Sequence, residues 1–174
     1  MAGLKTQLGE AFAGQGAEAA HLNTVLGVKG GPVETAWVTA LATPSVGHAA
    51  FVVVTQPNLP VLPMTLFVNK ATIETPQHAK LTWGAAQLGV ASGVLDAVNS
   101  GVIDRDELEN LILIAAVWVD PLASDADAVY DNNRVATSAA LTRGRPGVLN
   151  VAEILAVRDA PINGYYVARS LRRD

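Results

Sequence analysis

Apolar positions between residues 8 and 28 fall into two strand-length runs, 8–13 and 21–27, the second built on Leu22, Val25 and Leu26. Gly14-Gln15-Gly16 separates them, so a hairpin is expected. Gly30-Gly31-Pro32 breaks the chain and opens a helix, with Pro32 near the first position, where its missing N–H costs nothing. Val33, Trp37 and Leu41, together with Val38, give that helix an apolar face. Residues 51–55 are a β-branched run that predicts a buried strand. Pro57, Pro60 and Pro63 then exclude a helix and predict a stiff extended connector, followed by a strand over 65–73.

Thr75-Pro76 reads as the cap and first position of a long helix that runs to Ser100 and stops at Gly101. Its expected core stripe is Leu81, Leu88, Ala91, Leu95 and Val98. Gly84, Ala85, Ala86, Gly89, Ser92 and Gly93 leave much of its surface low. Each glycine inside a helix costs about 0.5–1 kcal/mol relative to alanine, so another backbone or a ligand is expected close by. Asp104 with Glu107 has the capping spacing, 111–119 is the clearest strand, 126–143 a helix and 151–156 a shorter helical piece. Adjacent strand pairs flanked by helices predict an α/β fold, an α+β two-layer sandwich with a mixed sheet and helices on one face. With no repeat or linker, residues 1–174 read as a single domain.

Composition narrows what such a domain does. Half of the residues are hydrophobic and 16% are charged, enough apolar material for a core and too little charge for a disordered chain. The net charge of −4 argues against nucleic-acid binding, which needs clustered cations, and the one basic cluster, 169–173, reads as a solvated tail. There is no cysteine, which removes disulfides, thiolate metal sites and thiol nucleophiles. Residues 1–13 mix Lys5 and Glu10 among short apolar stretches, unlike a secretory leader, and the longest apolar run, 111–119, falls short of the ~20 residues that span a bilayer. A cytoplasmic protein without membrane contact is expected.

Standard catalytic signatures are absent. The glycines at 14–16 lack the third glycine of a dinucleotide fingerprint, and 27–31 lack the Lys-Ser/Thr ending of a phosphate loop. Three separated histidines do not make a metal site. His78, in the first turn of the long helix, is expected at the surface; His48 lies in a loop before a strand; His21 opens a strand, where a structural role is the plainer reading. Lys70 and Thr72, two apart on the expected 65–73 strand, would share a face that suits either solvent or a polar ligand.

Several blocks in order resemble the formaldehyde-activating enzymes. Gly9-Glu10-Ala11, the run from Gly14 to His21 and Gly30-Gly31-Pro32-Val33-Glu34-Thr35-Ala36 are similar to the family's N-terminal signature. Pro57-Asn58-Leu59-Pro60, the stretch 65–73, Trp83-Gly84-Ala85-Ala86-Gln87 and 128–139, with Tyr130, Asn132 and Ala136-Thr137, continue the likeness. It covers about residues 8–145, and the tail 147–174 diverges from it.

The resemblance implies condensation of formaldehyde with tetrahydromethanopterin, a co-substrate, to the methylene adduct and water, with no metal. It implies a fold like domain 2 of ribosomal protein S5 and a homopentamer with the pterin between subunits. By resemblance His21 takes the catalytic position, and Val52, Lys70, Thr72 and Gln87 take pterin-contacting positions. Asn23 departs from the pattern, because the family carries an aspartate there. An amide can hydrogen-bond but cannot supply charge to a histidine on the same strand face, which implies weakened or altered activity. The rival reading is a non-catalytic paralogue that binds pterin or formaldehyde as a sensor or carrier; a third is another aldehyde or carrier.

Overall fold

The computed structural model describes residues 6–163 and 166–171. Strand β1 (Gln7–Ala13) turns through a short 3-10 piece into β2 (Ala20–Val28), and α1 (Pro32–Ala42) follows. Then come β3 (Phe51–Val52), β4 (Val54–Gln56), β5 (Leu59–Pro60), β6 (Met64–Asn69), α2 (Pro76–Lys80), a π-type turn over Leu81–Ala86 and α3 (Gln87–Asn99). Strand β7 (Leu111–Trp118), α4 (Ala126–Arg143) and α5 (Val151–Ala156) complete the order. Five strands form one sheet in the order β1-β2-β7-β6-β3, with β6 parallel to β7 and the other neighbours antiparallel. This is the mixed sheet expected, but its helices are not confined to one face: α3 and α4 lie on one and α1 on the other. Among the described residues no helix is long and apolar enough to cross a membrane.

The two sheet faces follow from alternation along β2 and β7. Leu22, Thr24 and Leu26 of β2 and Leu113, Ala115 and Val117 of β7 turn inward beneath α3 and α4, where the larger core lies. His21, Asn23 and Val25, with Ile112, Ile114, Ala116 and Trp118, turn to the other face. There α1 covers one end, seating Val33 and Trp37 on Leu66 and Ile112. Val38 and Leu41, expected on that apolar face, are exposed instead, because only one narrow side of α1 meets the sheet. The end of this face nearer His21 is left uncovered by α1.

The long helix is continuous from Pro76 to Asn99 but widens between Leu81 and Ala86. Thr75 caps it as expected, its hydroxyl accepting from the His78 amide at 3.1 Å. Leu81, Ala91 and Val98 of the expected stripe are buried, whereas Leu88 and Leu95 are exposed. The widened turn shifts the helical phase, and the side that meets α4 is made of Ala86, Gly89, Val90, Gly93, Val94 and Ala97. A Cβ on Gly93 would stand 2.5 Å from the Arg134 carbonyl oxygen, and one on Gly89 would meet the Tyr130 carbonyl, so the backbone expected to approach this helix is α4. A Cβ on Gly84 would meet nothing within 4 Å beyond its own helix. On the solvent side Asp96 accepts from Arg134 Nε and Nη2 at 2.6 and 2.9 Å, which holds its carboxyl below the usual range.

Other expectations shift. The 51–55 run is two strands, because Val53 turns inward, fully buried, between β3 and β4. The proline-rich connector is a small hairpin of β4 with β5, turned at Asn58 with φ 66°. His78 is sealed in the core rather than at the surface, with Nε2 3.0 Å from the Val119 carbonyl oxygen. Of the basic tail, Arg169 is exposed and lies in a 3-10 turn, while residues 172 and 173 lie outside the described residues, as does Lys5.

Candidate functional site

The hairpin register builds the first half of the site. Glu10 stands opposite Asn23 and Phe12 opposite His21, all four on the face that α1 leaves open. In an antiparallel pair diagonal neighbours also come within reach when one side chain is long. Glu10 accordingly places Oε1 3.2 Å from Nε2 of His21, and the Phe12 ring lies 6.3 Å from the imidazole, centroid to centroid. The His21 side chain is 39% exposed, open to a reactant yet partly shielded.

Strand β7 forms the floor: Ala116 lies beside Asn23 and Trp118 beside His21. The Trp118 indole N–H is buried and has no acceptor among the described residues. From the other side comes Lys70, with an amide that still bonds the Val117 carbonyl at 2.8 Å and so stays alongside β7. Its Nζ donates to Asn23 Oδ1 at 2.8 Å. Burial pulls the Lys70 ammonium below its usual range, and the Glu10 charge partly offsets this.

The strand over 65–73 ends early, at Asn69, and the cause is local. The Asn69 amide donates to the Ala71 and Gly47 carbonyls at 2.8 Å each, which folds the chain into a bend. Lys70 and Thr72 therefore do not alternate along a strand; both sit in that bend, and Thr72 is exposed beside Gly47. Val52 shares the open sheet face but sits on the far strand, β3, packed with the cluster under α1. The loop carrying His48 meets Ile73 and Trp83 around a smaller recess of about 300 Å³.

Gln87 is on the opposite side of the sheet and is 4% exposed. Its amide spans Val54, accepting from the Val54 N–H at 3.1 Å and donating to the Val54 carbonyl at 3.0 Å. This clasp holds the break between β3 and β4. Replacing Gln87 with leucine orphans both backbone groups, and denaturant unfolding is expected to show a loss of about 2 kcal/mol. An unchanged midpoint would refute the clasp.

The structure thus brings together His21, Asn23 and Lys70, keeps Thr72 two residues from Lys70, and leaves Val52 and Gln87 apart from them. Sequence reasoning did not single out Glu10 or Trp118. Glu10 was legible only as an outward position on a strand, and its meeting with His21 needs the hairpin register. A cavity of about 850 Å³ adjoins Glu10 and Asn23; Leu8 and Val25 form its floor, and Leu149, Ile154 and Val157 of the α5 segment its far wall. Among the described residues no three His, Asp or Glu side chains converge as a metal-binding group.

Comparison with known proteins places the chain. A family model described as formaldehyde-activating enzyme matches residues 8–164. The 5,6,7,8-tetrahydromethanopterin hydro-lyase of Methanosarcina barkeri is 40% identical over 157 residues, 90% of this chain and 88% of that protein. A bifunctional enzyme Fae/Hps of the same organism is 40% identical over 94% of this chain, and one from Methanosphaera stadtmanae is 39% identical over 91%. The chain spans only 42% and 40% of the length of these two bifunctional relatives.

Proposed function

Because the chain belongs to the formaldehyde-activating enzyme family, we propose that it condenses formaldehyde with tetrahydromethanopterin, releasing water, as a carbon–nitrogen lyase of one-carbon metabolism in the cytoplasm. The observation that carries this reading is the half-exposed His21 imidazole on an open sheet face, with Glu10 against it and the Lys70–Asn23 pair beside it.

One carrier amine adds to formaldehyde and gives a carbinolamine, N–CH2–OH. Its hydroxyl leaves as water once it takes a proton, and the C–O electron pair departs with it. The lone pair on nitrogen then forms the iminium. The second amine attacks the methylene carbon, closes the N–CH2–N bridge and gives up one proton. An imidazole that delivers the first proton and collects the second balances the cycle and contributes about 10²–10⁴-fold. Holding both reactants at one site adds the benefit of proximity. The Lys70 ammonium and the exposed Thr72 hydroxyl are donors suited to the carrier's carbonyl and ring nitrogens.

Val52, on β3, and His21, on β2, lie toward opposite ends of the same sheet face, an arrangement that suits a site shared between neighbouring subunits of a homopentamer. Gln87, buried on the other side with its amide bonded to Val54, would act through the fold rather than touch the carrier. Leu88 and Leu95, seven residues apart on one side of α3 and exposed, are surface such an assembly would cover.

Asn23 favours the second reading, a pterin-binding carrier without turnover, because Lys70 meets a neutral amide here. The test is absorbance-monitored condensation of formaldehyde with tetrahydromethanopterin, alongside calorimetric binding of the pterin. Saturable acceleration over the spontaneous reaction supports the enzyme; binding without acceleration supports the carrier. Asn23→Asp places a carboxylate at the Lys70 ammonium, which raises the Lys70 pKa and keeps that donor charged to higher pH. We expect the rate to rise about tenfold, the equivalent of ~1.4 kcal/mol, with the alkaline limb of the pH profile moving up. The same rate and pH profile as wild type would mean that position 23 does not set the activity.

A further inference from the structure

The described residues place one carboxylate against His21, and it is that of Glu10. The β1–β2 register fixes it there, diagonal to His21 and opposite Asn23. Asn23 cannot take its place: it carries no charge, and its Oδ1 is occupied by Lys70 Nζ at 2.8 Å. The Glu10 side chain is 56% exposed, and an ion pair so open contributes little to folding, so the pair has more to offer chemistry than stability. Lys70 is the other charged group on this face, and Glu153 and Arg143 border the adjoining cavity. The remaining neighbours, Phe12, Ala116 and Trp118, are neutral.

Resting on the reading of His21 as the proton carrier, we infer that Glu10 is a positioning residue that holds Nε2 of His21 as an N–H donor and leaves Nδ1 to exchange the proton with the substrate. In the acid step the imidazolium gives the Nδ1 proton to the carbinolamine hydroxyl, and water leaves with the C–O electron pair. In the closing step the second carrier nitrogen forms its bond to carbon, and its proton returns to Nδ1. The Nε2–H stays on Glu10 throughout, and Glu10 itself is never protonated. Its carboxylate fixes the ring plane and the tautomer, as an orienting acid does for a catalytic histidine.

The variant is Glu10→Gln, which keeps the length and the acceptor oxygen and removes the charge. We expect kcat to fall about tenfold, the order that one charge-assisted hydrogen bond contributes, with KM for tetrahydromethanopterin unchanged. A ring-nitrogen NMR spectrum of neutral His21, which needs no turnover, should show the proton held on Nε2 in the wild type and spread over both nitrogens in the variant, because a glutamine amide can also donate to Nε2. An unchanged tautomer together with an unchanged kcat would overturn the assignment, as would a loss confined to KM. If the wild type proves inactive with formaldehyde and the carrier, the proposed reaction fails, whereas the NMR comparison still decides whether Glu10 governs the imidazole.

Discussion

Replacing His21 with alanine is expected to lower the enzyme-dependent rate of methylene formation by about 10²–10⁴-fold, with little change in KM for the carrier. In the proposed mechanism the imidazole meets its substrate only as a proton donor and acceptor, so the loss belongs in kcat. What remains is the acceleration from holding the reactants together, and the spontaneous condensation must be subtracted before the comparison. Stability should barely move, because the side chain is part-exposed and its polar partner, Glu10, is exposed too, so a change within about 0.5 kcal/mol is expected. A variant that keeps more than a third of the wild-type rate, after that subtraction, would remove His21 from the chemistry. His78 is no substitute: it is sealed in the core against Val119 and out of reach of any reactant.

The largest effect on stability is expected where α3 meets α4. In an open helix Gly→Ala gains up to about 1 kcal/mol. At Gly93 the sign reverses, because the new Cβ would lie 2.5 Å from the Arg134 carbonyl oxygen and 2.6 Å from Thr137 Cβ. At Gly89 it would meet the Tyr130 carbonyl and lie 2.8 Å from Asn133 Cβ. Both obstacles are the backbone and buried first atoms of α4, which cannot swing aside as a flexible side chain would. Overpacking of this kind costs about 1–3 kcal/mol at each site, so the double alanine variant should lose about 4 kcal/mol, a large share of the margin of a typical domain. Gly84→Ala, with nothing within 4 Å beyond its own helix, is the internal control and should be neutral or slightly stabilising. Denaturant melts of the three proteins decide the matter, and a double variant as stable as wild type would show that α4 can retreat.

Elements whose information is local were legible. The cap at Thr75, Pro32 at a helix start and the long apolar run of β7 each act over a few residues, and each element formed where its pattern said. What was misread depended on distant partners. The stripe through Leu88 and Leu95 was chosen for size; the small residues announced a close approach, but not that the side they form, rather than the leucines, is the one α4 buries. The strand through Lys70 and Thr72 looked continuous, because nothing in its pattern announces that the Asn69 amide will bond Gly47, 22 residues away. The His78 position looked like a solvated first turn until the residue that follows β7, Val119, supplied its carbonyl. For the site, residue identities came from family likeness, while the meetings of Glu10 with His21 and of Asn23 with Lys70 are products of register and of a bend.

The widened turn at Leu81–Ala86 has a consequence for how this chain tolerates change in length. A π-type turn holds one residue more than a regular one, and its extra width takes up the ~100° by which that residue would otherwise rotate everything beyond it. Deleting a single residue there would let the turn close to a regular one with the rest of the helix still aimed as before: Gln87 would stay on Val54, and the flat side carrying Gly89 and Gly93 would stay on α4. The same deletion in the regular turns of α3 would swing everything beyond it away from α4, so the widened turn is slack held at the one place where the helix can be shortened without being turned.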